Sequence, residues 1–400
     1  MFALKSHDVR EVRLEALLAE TVESARLREN SAFDEMAAPF EQSLILFGAG
    51  QFGRRTLAGL RQVGLEPLAF ADNNPSLWGK AVDGLPVLSP QGAAERFGRR
   101  AAFVITIWNG HLQDRTSQRV RQLTGLGCRK VIPFGFLYWK YPGTFLPFYP
   151  LDLPHKVLAQ ADAVMAAFRL WEDDFSRREY LAQVAFRLHL DLDSMSSPEV
   201  AEHYFPPDVY RLTSREVLID CGAFDGDTIR SFVGRQGGQF ARIIAYEPDP
   251  LSWAKLQQTV AALPEPVRRK ISCFQRAVGA SRGTVAFGVT GTELSTAGAG
   301  QLMVESVALD ECLQGETPTI VKFDIEGAEP EALAGGRRTI QRHTPVLAIS
   351  SYHLQDHLWQ LPLSVAGMSG DYRYFLRPHS FEGWDLVCYA VPTGRWIEDK

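Results

Sequence analysis

The chain has 400 residues and a formal net charge of -5, with 46% hydrophobic and 22% charged residues. This length is too great for one ordinary compact core, and it predicts two domains of about 150 to 200 residues each. The composition excludes a disordered or fibrous chain, and the slightly acidic charge argues against nucleic acid or an anionic membrane surface as the main partner.

The cysteines and the hydropathy pattern indicate in which cellular compartment the protein works. The five cysteines are scattered without a CxxC pair, as expected for reduced thiols, and they predict no zinc site. The first residues carry several charges, and the chain contains no run of about 18 uncharged apolar residues. We therefore expect a soluble, cytoplasmic protein without membrane insertion.

Residues 1–40 are predicted to form an N-terminal helical segment, because apolar positions recur at helical spacing between residues 8 and 37. Packing of this helix on the following domain is favoured over binding to a partner helix. Residues 41–142 are predicted to form a small Rossmann-like α/β domain, since buried strands at 44–47 and 67–71 flank a helix.

A glycine-rich turn opens this first α/β domain. The stretch "GAGQFG" places Gly48, Gly50 and Gly53 between a strand and a helix, and Asp72 follows 24 residues after Gly48. This pattern is typical of a dinucleotide-binding turn and predicts a second site, for a nucleotide or a nucleotide sugar. A purely structural βαβ unit stays open as the alternative.

Two segments complete the predicted order. Residues 143–212 form a proline-rich and helical linker, and its prolines mark the boundary. In residues 213–400 strands and helices alternate and then end in a hairpin. This order predicts a doubly wound sheet that is parallel apart from one antiparallel edge strand, the last strand of the chain.

The stretch "VLIDCGAFDGDT" follows the first strand of the second domain. Gly222 and Gly226 allow the backbone to approach a ligand, and three carboxylates surround the turn: Asp220, Asp225 and Asp227. They would repel a phosphate, whereas S-adenosylmethionine carries an ammonium and a sulfonium and fits better. Alternatively, Asp225 and Asp227 only cap the helix that starts near Thr228.

The next two strands supply candidates for an adenosine site. Glu247 ends the second strand, where it can accept hydrogen bonds from both ribose hydroxyls, and Pro248 stops that strand. The third strand delivers Ala277 and Val278, which are small enough to lie against an adenine face. The alternative that both are simply core residues stays open, because periodicity does not exclude it.

The fourth strand, "TIVKFDIEGAEPEAL", carries charges among apolar residues. Lys322, Asp324 and Glu326 alternate, so they are predicted to share one face. Unpaired charges on a buried strand are unfavourable, which favours the wall of a reaction centre over a surface edge strand.

These residues resemble the FkbM family of S-adenosylmethionine-dependent methyltransferases. The resemblance rests on "VLIDCGAFDGDT", "IIAYEPDP", "VESVALDE", "IVKFDIEGAEPEAL" and "LAISSYHLQDHLWQLP", and it covers about residues 217–392. It implies a class I methyltransferase fold with seven strands. It also implies O-methylation of a sugar or another hydroxyl during polysaccharide, glycolipid or natural-product assembly.

The resemblance assigns residues to parts of the site. It implies a methionine-moiety loop at Asp220, Gly222, Ala223, Phe224 and Gly226, and a ribose-binding acid at Glu247. Asp324 and Glu326 would lie near the methyl donor, and Tyr352 and His353 would lie near the acceptor. The N-terminal half resembles the small Rossmann-like modules of sugar-modifying acetyltransferases.

Methyl transfer to a hydroxyl needs a base. His353 is the first candidate and Asp324 the second, while His357 and His379 rank lower. Asp324, Glu326 and His353 have no spacing that demands a metal, so none is predicted. Two rival functions stay open: an NAD(P)-dependent sugar-modifying oxidoreductase, which would lack an evident Tyr-x-x-x-Lys pair, and a non-catalytic scaffold in glycan assembly that binds a nucleotide sugar.

Overall fold

The computed structural model describes residues 9–108, 115–198, 202–288, 302–313 and 315–397. The N-terminal segment is two helices, α1 (Val9–Leu17) and α2 (Val22–Ala37). The hydroxyl of Thr21 accepts a hydrogen bond from the Ser24 amide and starts the second helix, so the single predicted helix is interrupted there. Phe33 and Ala37 of α2 are buried in the core of the first α/β domain, as the packing interpretation predicted.

The first α/β domain is built on a six-stranded sheet with the order β3-β4-β2-β1-β5-β6. Its strands are β1 (Leu44–Phe47), β2 (Ala69–Ala71), β3 (Ala81–Val82), β4 (Leu85–Leu88), β5 (Ala102–Ile105) and β6 (Lys130–Pro133). Its helices are α3 (Gln51–Gln62), α4 (Pro90–Phe97) and α5 (Thr116–Gly125). All neighbouring strands are parallel except β3 and β4, and the strand order reverses beside β1.

Between the two sheets, the described part of the chain forms five helices. They are α6 (Phe134–Lys140), α7 (Pro142–Phe145), α8 (Pro154–Leu158), α9 (Ala161–Phe168) and α10 (Asp174–His189). The buried Arg187 of α10 donates from Nε to the carbonyl of Gln355 at 3.0 Å. The linker is therefore hydrogen-bonded to the loop that contains Gln355 in the second α/β domain.

The second α/β domain contains a seven-stranded sheet and a three-stranded sheet. Its strands are β7 (Val217–Cys221), β8 (Arg242–Tyr246), β9 (Ile271–Phe274), β10 (Ala277–Val278), β11 (Gly283–Phe287), β12 (Leu302–Val307), β13 (Ile320–Phe323), β14 (Val346–Ser350), β15 (Tyr372–Pro378) and β16 (Leu386–Pro392). Its helices are α11 (Asp227–Gln236), α12 (Pro250–Ala261), α13 (Glu265–Arg268), α14 (Leu309–Cys312), α15 (Glu329–Gly335), α16 (Arg337–His343) and α17 (His357–Ala366).

The strand order of the large sheet is β15-β16-β14-β13-β7-β8-β9. The last strand, β16, is antiparallel to both of its neighbours, but it lies between β14 and β15. The prediction of an antiparallel strand at the edge is therefore wrong in position. The order reverses beside β7, so the carboxyl ends of β7, β8 and β13 meet where ligands bind in open α/β sheets.

Two further strand predictions need correction. The third strand was predicted to run through to Val278, but β9 ends at Phe274 and Ala277–Val278 belongs to the small sheet, β10-β12-β11. The fourth strand ends at Phe323, so Asp324 and Glu326 lie in the turn that follows it. Glu326 has a φ of 56°, which breaks the strand alternation used to predict a shared face.

The two α/β domains are in contact near the carboxyl ends of their strands. Trp108, just after β5, donates from its indole nitrogen to the carbonyl of Glu382 at 3.1 Å. The buried carboxylate of Glu382 in turn accepts hydrogen bonds from the amide and the hydroxyl of Thr116, at the start of α5. Trp384 packs on Trp108 and Tyr149, with ring centroids 4.9 and 4.6 Å apart.

Candidate active site

A cavity lies at the carboxyl ends of β7, β8 and β13 and is open to solvent. Five carboxylates and two basic side chains are among its lining groups. The lining residues are His203, Tyr204, Gly222, Phe224, Asp227, Tyr246, Glu247, Pro248, Ser252, Arg276, Ala277, Val278, Phe287, Lys322, Asp324, Ile325, Glu326, Ala328, Tyr352 and Asp385. The excess of negative charge favours a cationic ligand.

The turn after β7 approaches the turn after β13 very closely. Gly222 has a φ of +85°, and a Cβ atom added there would lie 1.9 Å from the carbonyl oxygen of Asp324. Only glycine fits this position, because any side chain would push the two turns apart. The tight turn predicted from the sequence thus brings the first and fourth strands together at the cavity floor.

Glu247 fixes the same turn from the other side. Its carboxylate accepts hydrogen bonds from the amides of Phe224 at 2.7 Å and Asp249 at 2.8 Å. Phe224 has a φ of 46°, which a non-glycine residue keeps only when its surroundings hold it. Burial raises the pKa of Glu247 to about 7, although the two backbone donors oppose that shift.

Asp220 lies below the cavity and does not line it. Its side chain is fully buried, and Oδ1 lies 3.1 Å from Nζ of Lys322. Burial raises the pKa of Asp220 to about 6 against the opposing effect of Lys322. The expected direct contact of Asp220 with the cofactor does not fit this position, because Lys322 lies beside the carboxylate and the side chain has no accessible surface.

Lys322 joins the two acidic turns. Its ammonium donates to the carbonyl of Gly222 and lies 3.8 Å from Oδ2 of Asp324. Burial lowers the pKa of Lys322, but the carboxylates of Asp220 and Asp324 outweigh burial and raise it. Lys322 therefore stays charged and balances part of the negative charge of the cavity.

Asp324 in the cavity wall contacts a different side chain through each of its carboxylate oxygens. Oδ2 accepts a hydrogen bond from the hydroxyl of Tyr204 at 2.7 Å, and Oδ1 lies 3.3 Å from Nε2 of His353. Burial raises the pKa of Asp324, but Lys322 and the imidazole outweigh burial and lower it to about 2. The carboxylate therefore stays ionised.

His353 lies behind this wall, with carboxylates near both ring nitrogens. Nδ1 lies 2.9 Å from Oε1 of Glu329, while Nε2 is 3.3 Å from Asp324 and 3.6 Å from Glu326. Burial lowers the pKa of His353, but the three carboxylates outweigh burial and raise it to about 10. His353 is therefore an imidazolium at neutral pH.

Glu329, which sequence reasoning missed, ties the two loops of the site together. Its buried carboxylate accepts hydrogen bonds from the amides of Ile325 at 2.9 Å and Gly327 at 3.1 Å. The same group contacts His353, and Oε2 lies 3.3 Å from Nδ1 of His357. The only sequence signal was its place in "EGAEPEAL", which reads as the first turn of a helix.

The predicted cofactor residues divide into two groups. Nine line the cavity: Gly222, Phe224, Asp227, Glu247, Pro248, Ala277, Val278, Asp324 and Glu326. Five do not: Asp220, Ala223, Asp225, Gly226 and Thr228; the catalytic candidate His353 also does not line it. Asp225 pairs with Arg230 at 2.8 Å, and the side chains of Ala223 and Thr228 are buried.

Several lining residues carried no sequence signal. His203 and Tyr204 come from the segment before β7 that was predicted to be linker. Tyr204 reaches Asp324, as described above, and the ring of His203 stacks on Tyr204 with centroids 3.8 Å apart. Only the fold brings these residues to the strand ends, since no local pattern links them to Asp324.

The cavity suits an adenosine-containing cation. The hydroxyl of Ser252 is buried in its wall and has no hydrogen-bond partner among the described residues, as expected where a ligand supplies one. Glu247 lines the same wall and can accept from ribose hydroxyls. These donors and acceptors, with the acidic surroundings, fit S-adenosylmethionine.

The glycine-rich turn of the first domain has a related arrangement. Asp72 accepts hydrogen bonds from the amides of Ala49 and Asn74, both at 2.7 Å, much as Glu247 does in the second domain. A Cβ at Gly53 would lie 1.8 Å from the carbonyl of Gly48, whereas one at Gly50 would meet only open space. Gly53 thus serves close packing, and Gly50 leaves the start of α3 accessible.

The described residues contain neither a metal-ligand cluster nor a membrane-spanning helix. No group of three or more His, Cys, Asp or Glu side chains there could hold a metal ion. No helix in those ranges is long and apolar enough to span a bilayer.

Comparison with known proteins gives a family match for the second domain and a structural match that covers nearly the whole chain. Residues 220–382 match the family described as Methyltransferase FkbM domain. Methyltransferase FkbM from Methylobacillus flagellatus KT is 22% identical, with a TM-score of 0.76, over 95% of this chain and 98% of its own. At this identity the likeness shows the fold. No match was found among curated proteins.

Two other solved structures align over parts of the chain. An rRNA methylase from Streptococcus thermophilus is 12% identical over 50% of this chain and 98% of its own, with a TM-score of 0.31. RSP, a Rex-family repressor, is 18% identical over 28% of this chain and 51% of its own, with a TM-score of 0.21. These TM-scores are too low to carry an argument about this chain.

Proposed function

Residues 220–382 belong to the methyltransferase FkbM family, as the motifs predicted, and on this premise we propose that the chain transfers a methyl group from S-adenosylmethionine to a hydroxyl group. The acceptor class we propose is a sugar, a glycan or a hydroxylated natural product. The observation that carries the proposal is the cavity itself, where Glu247 and the unpartnered Ser252 hydroxyl accompany an excess of carboxylates.

The cofactor would be held by residues of three strand ends. Glu247 and Ser252 would bind the adenosine part, with Ala277 and Val278 against the adenine ring. S-adenosylmethionine, when bound, supplies an electrophilic methyl group on a positively charged sulfur. The ionised carboxylates of Asp324 and Glu326 favour positive charge at the reaction end of the cavity.

Orientation is the main contribution we assign to the protein. Asp324 is fixed by Tyr204, Lys322 and His353, so it can hold an acceptor hydroxyl in one position. Correct alignment of two reacting groups contributes roughly 7 to 11 kcal/mol in well-organised sites. The many contacts to Asp324 serve this alignment better than proton transfer, since a carboxylate with a lowered pKa is a weak base.

For the first domain we propose a nucleotide or nucleotide-sugar ligand at Gly48, Gly50, Gly53 and Asp72. The accessible start of α3 beside Gly50 supports an anionic group there, because helix amide donors point toward it. The Asp72 carboxylate lies beside the same turn, where it can accept from a ribose.

Titration calorimetry of the whole chain with S-adenosylmethionine, S-adenosylhomocysteine and NADH tests the cofactor assignment. We expect binding of both sulfur compounds. Binding of NADH alone would favour the oxidoreductase alternative, and failure to bind any cofactor would favour the scaffold. Mass spectrometry of nucleotide sugars, lipid-linked glycans and small hydroxylated metabolites, incubated with a labelled methyl donor, would then identify the acceptor.

A further inference from the structure

Within the described residues, one histidine lines the cavity, and it is not one of the candidates selected from the sequence. His203 contributes to the wall, whereas His353, His357 and His379 do not. His203 lies outside residues 220–382, in the segment that leads into β7. A cavity-lining imidazole is the side chain best suited to accept a proton near neutral pH.

The surroundings of His353 give it a different role. Both of its ring nitrogens lie close to carboxylates, on Glu329 at one side and on Asp324 and Glu326 at the other. Nδ1 donates a hydrogen bond to Glu329, and Nε2 lies within ion-pair distance of the other two carboxylates. A ring protonated at both nitrogens has no lone pair for another proton. His353 thus fixes the two acidic side chains of the wall.

His203 is positioned next to the group that anchors the reaction end. Its ring stacks on Tyr204, whose hydroxyl donates to Asp324 at 2.7 Å. The ring of His203 also stacks with His379, with centroids 5.0 Å apart, and His379 is itself hydrogen-bonded to the hydroxyl of Tyr389 at 2.7 Å. Two aromatic groups therefore pack on the ring near Asp324.

We propose that His203 is the catalytic base of the methyl transfer and that His353 is a positioning residue; this inference rests on the proposed function. The acceptor oxygen forms the new C–O bond while its O–H bond breaks and the proton passes to an imidazole nitrogen of His203. The electron pair of the broken S–C bond stays on sulfur, which becomes a neutral thioether. The proton then leaves to solvent through the open cavity.

The charged and titratable groups around His203 affect how the reaction depends on pH. Tyr204 and His379 flank the ring, and Asp324 is close enough to interact electrostatically with it. Asp227 and Asp385 line the same cavity. Asp324 is ionised across the working range and does not titrate there. The pKa values of Glu247, about 7, and Asp220, about 6, lie within that range, so the imidazole is assigned by comparing the wild type with His203→Asn at saturating S-adenosylmethionine.

Kinetics with the identified acceptor test the base. We expect His203→Asn to lower kcat by about 100-fold or more, the contribution typical of a general base, and to remove the fall in kcat at acid pH that the wild type shows at saturating S-adenosylmethionine. His203→Ala should regain activity when imidazole is added. His343→Asn, at the end of a helix outside the cavity wall, is the matched control and should keep wild-type kcat.

Rival bases give distinct outcomes in the same assay. Retention of more than a third of kcat in His203→Asn, with the acid limb intact, would overturn the proposal. Loss of the acid limb in Glu326→Gln or Asp385→Asn, but not in His203→Asn, would instead assign the base to that carboxylate.

NMR of histidine labelled with nitrogen-15 gives a test that needs no acceptor. At neutral pH we expect both ring nitrogens of His353 to be protonated and His203 to have one unprotonated nitrogen. S-adenosylhomocysteine should shift the His203 signals. A neutral His353 with an unprotonated Nε2, or a His203 that stays doubly protonated, would refute the assignment.

The two proposals fail in different ways. If the wild-type chain binds no S-adenosylmethionine, the proposed function fails. If it binds the cofactor and transfers a methyl group while His203→Asn does so equally well, only the assignment of the base fails.

Discussion

Glu329 and His353 form a buried pair in which Oε1 of the glutamate lies 2.9 Å from Nδ1 of the histidine. The pair connects the turn after β13 with the loop after β14, because Glu329 also accepts hydrogen bonds from the amides of Ile325 and Gly327. The geometry of Asp324 and Glu326 therefore depends on a carboxylate that does not itself line the cavity.

Glu329→Gln should destabilise the chain. The substitution leaves the His353 imidazolium without its charged partner, and the new amide group cannot accept all the hydrogen bonds that the carboxylate accepts. Removing one member of a buried ion pair costs about 3 to 5 kcal/mol, which denaturant unfolding would measure. Glu331→Gln, an exposed position on the same helix, is the control. Equal free energies of unfolding for the two variants would show that the Glu329–His353 pair does not stabilise the fold.

The stability that His353 provides should depend on pH in a defined direction. Its pKa is about 10 in the folded chain against 6.5 ordinarily, so its contribution is present below about pH 6.5 and is lost as pH rises through about 10. The free energy of unfolding of the wild type should therefore fall relative to that of His353→Gln between these two values. A constant difference across this range would mean that the imidazole carries no proton in the fold.

Gly222→Ala should damage the site through the backbone. The added Cβ would lie 1.9 Å from the carbonyl of Asp324, and the φ of +85° is unfavourable for alanine. We expect a loss of stability of more than about 2 kcal/mol and weaker binding of S-adenosylmethionine. Gly234→Ala is the matched control, because a Cβ there meets nothing within 4 Å in an exposed position of α11. That change should stabilise the helix by up to about 1 kcal/mol.

Sequence reasoning found the local features of the site and missed those that depend on the fold. The glycine turn and Glu247 were predictable, because a short motif at the end of an apolar strand already determines where they lie. Asp220 was expected to contact the cofactor because periodicity places it at the end of a strand. Periodicity does not reveal that Lys322 of the neighbouring strand forms an ion pair with it. His203 and Tyr204 could not be found, since only the packing of the preceding segment brings them to Asp324.

The same limit applies to strand order and to the extent of the strands. Alternating strands and helices predicted a doubly wound sheet, but a hairpin pattern does not tell whether its second strand lies at the edge or inserts beside an earlier one. In the structure β16 pairs with β14 as well as with β15. The sequence also did not predict that β13 ends before Asp324. Glu326 has a positive φ, which its neighbours impose against the backbone preference of a glutamate.

Glu247→Gln and Ser252→Ala should both weaken the binding of S-adenosylmethionine, by different amounts. The glutamine amide would turn an N–H group toward the amide of Phe224 or Asp249 and would lose the charge-assisted bond to ribose. Such a bond is worth roughly 1.5 to 3 kcal/mol, which corresponds to about a 10- to 100-fold rise in Kd. Ser252→Ala removes one neutral hydrogen bond, so its Kd should rise by roughly 3- to 10-fold.

The wild type should also bind the cofactor less tightly as pH falls below about 7, where the Glu247 carboxylate gains a proton and can accept one bond fewer. Calorimetry at two pH values checks this. Glu95→Gln, an exposed change on α4, is the control and should match the wild type. If Glu247→Gln binds as tightly as that control at every pH, Glu247 does not contact the cofactor, and the adenosine part must lie elsewhere in the cavity.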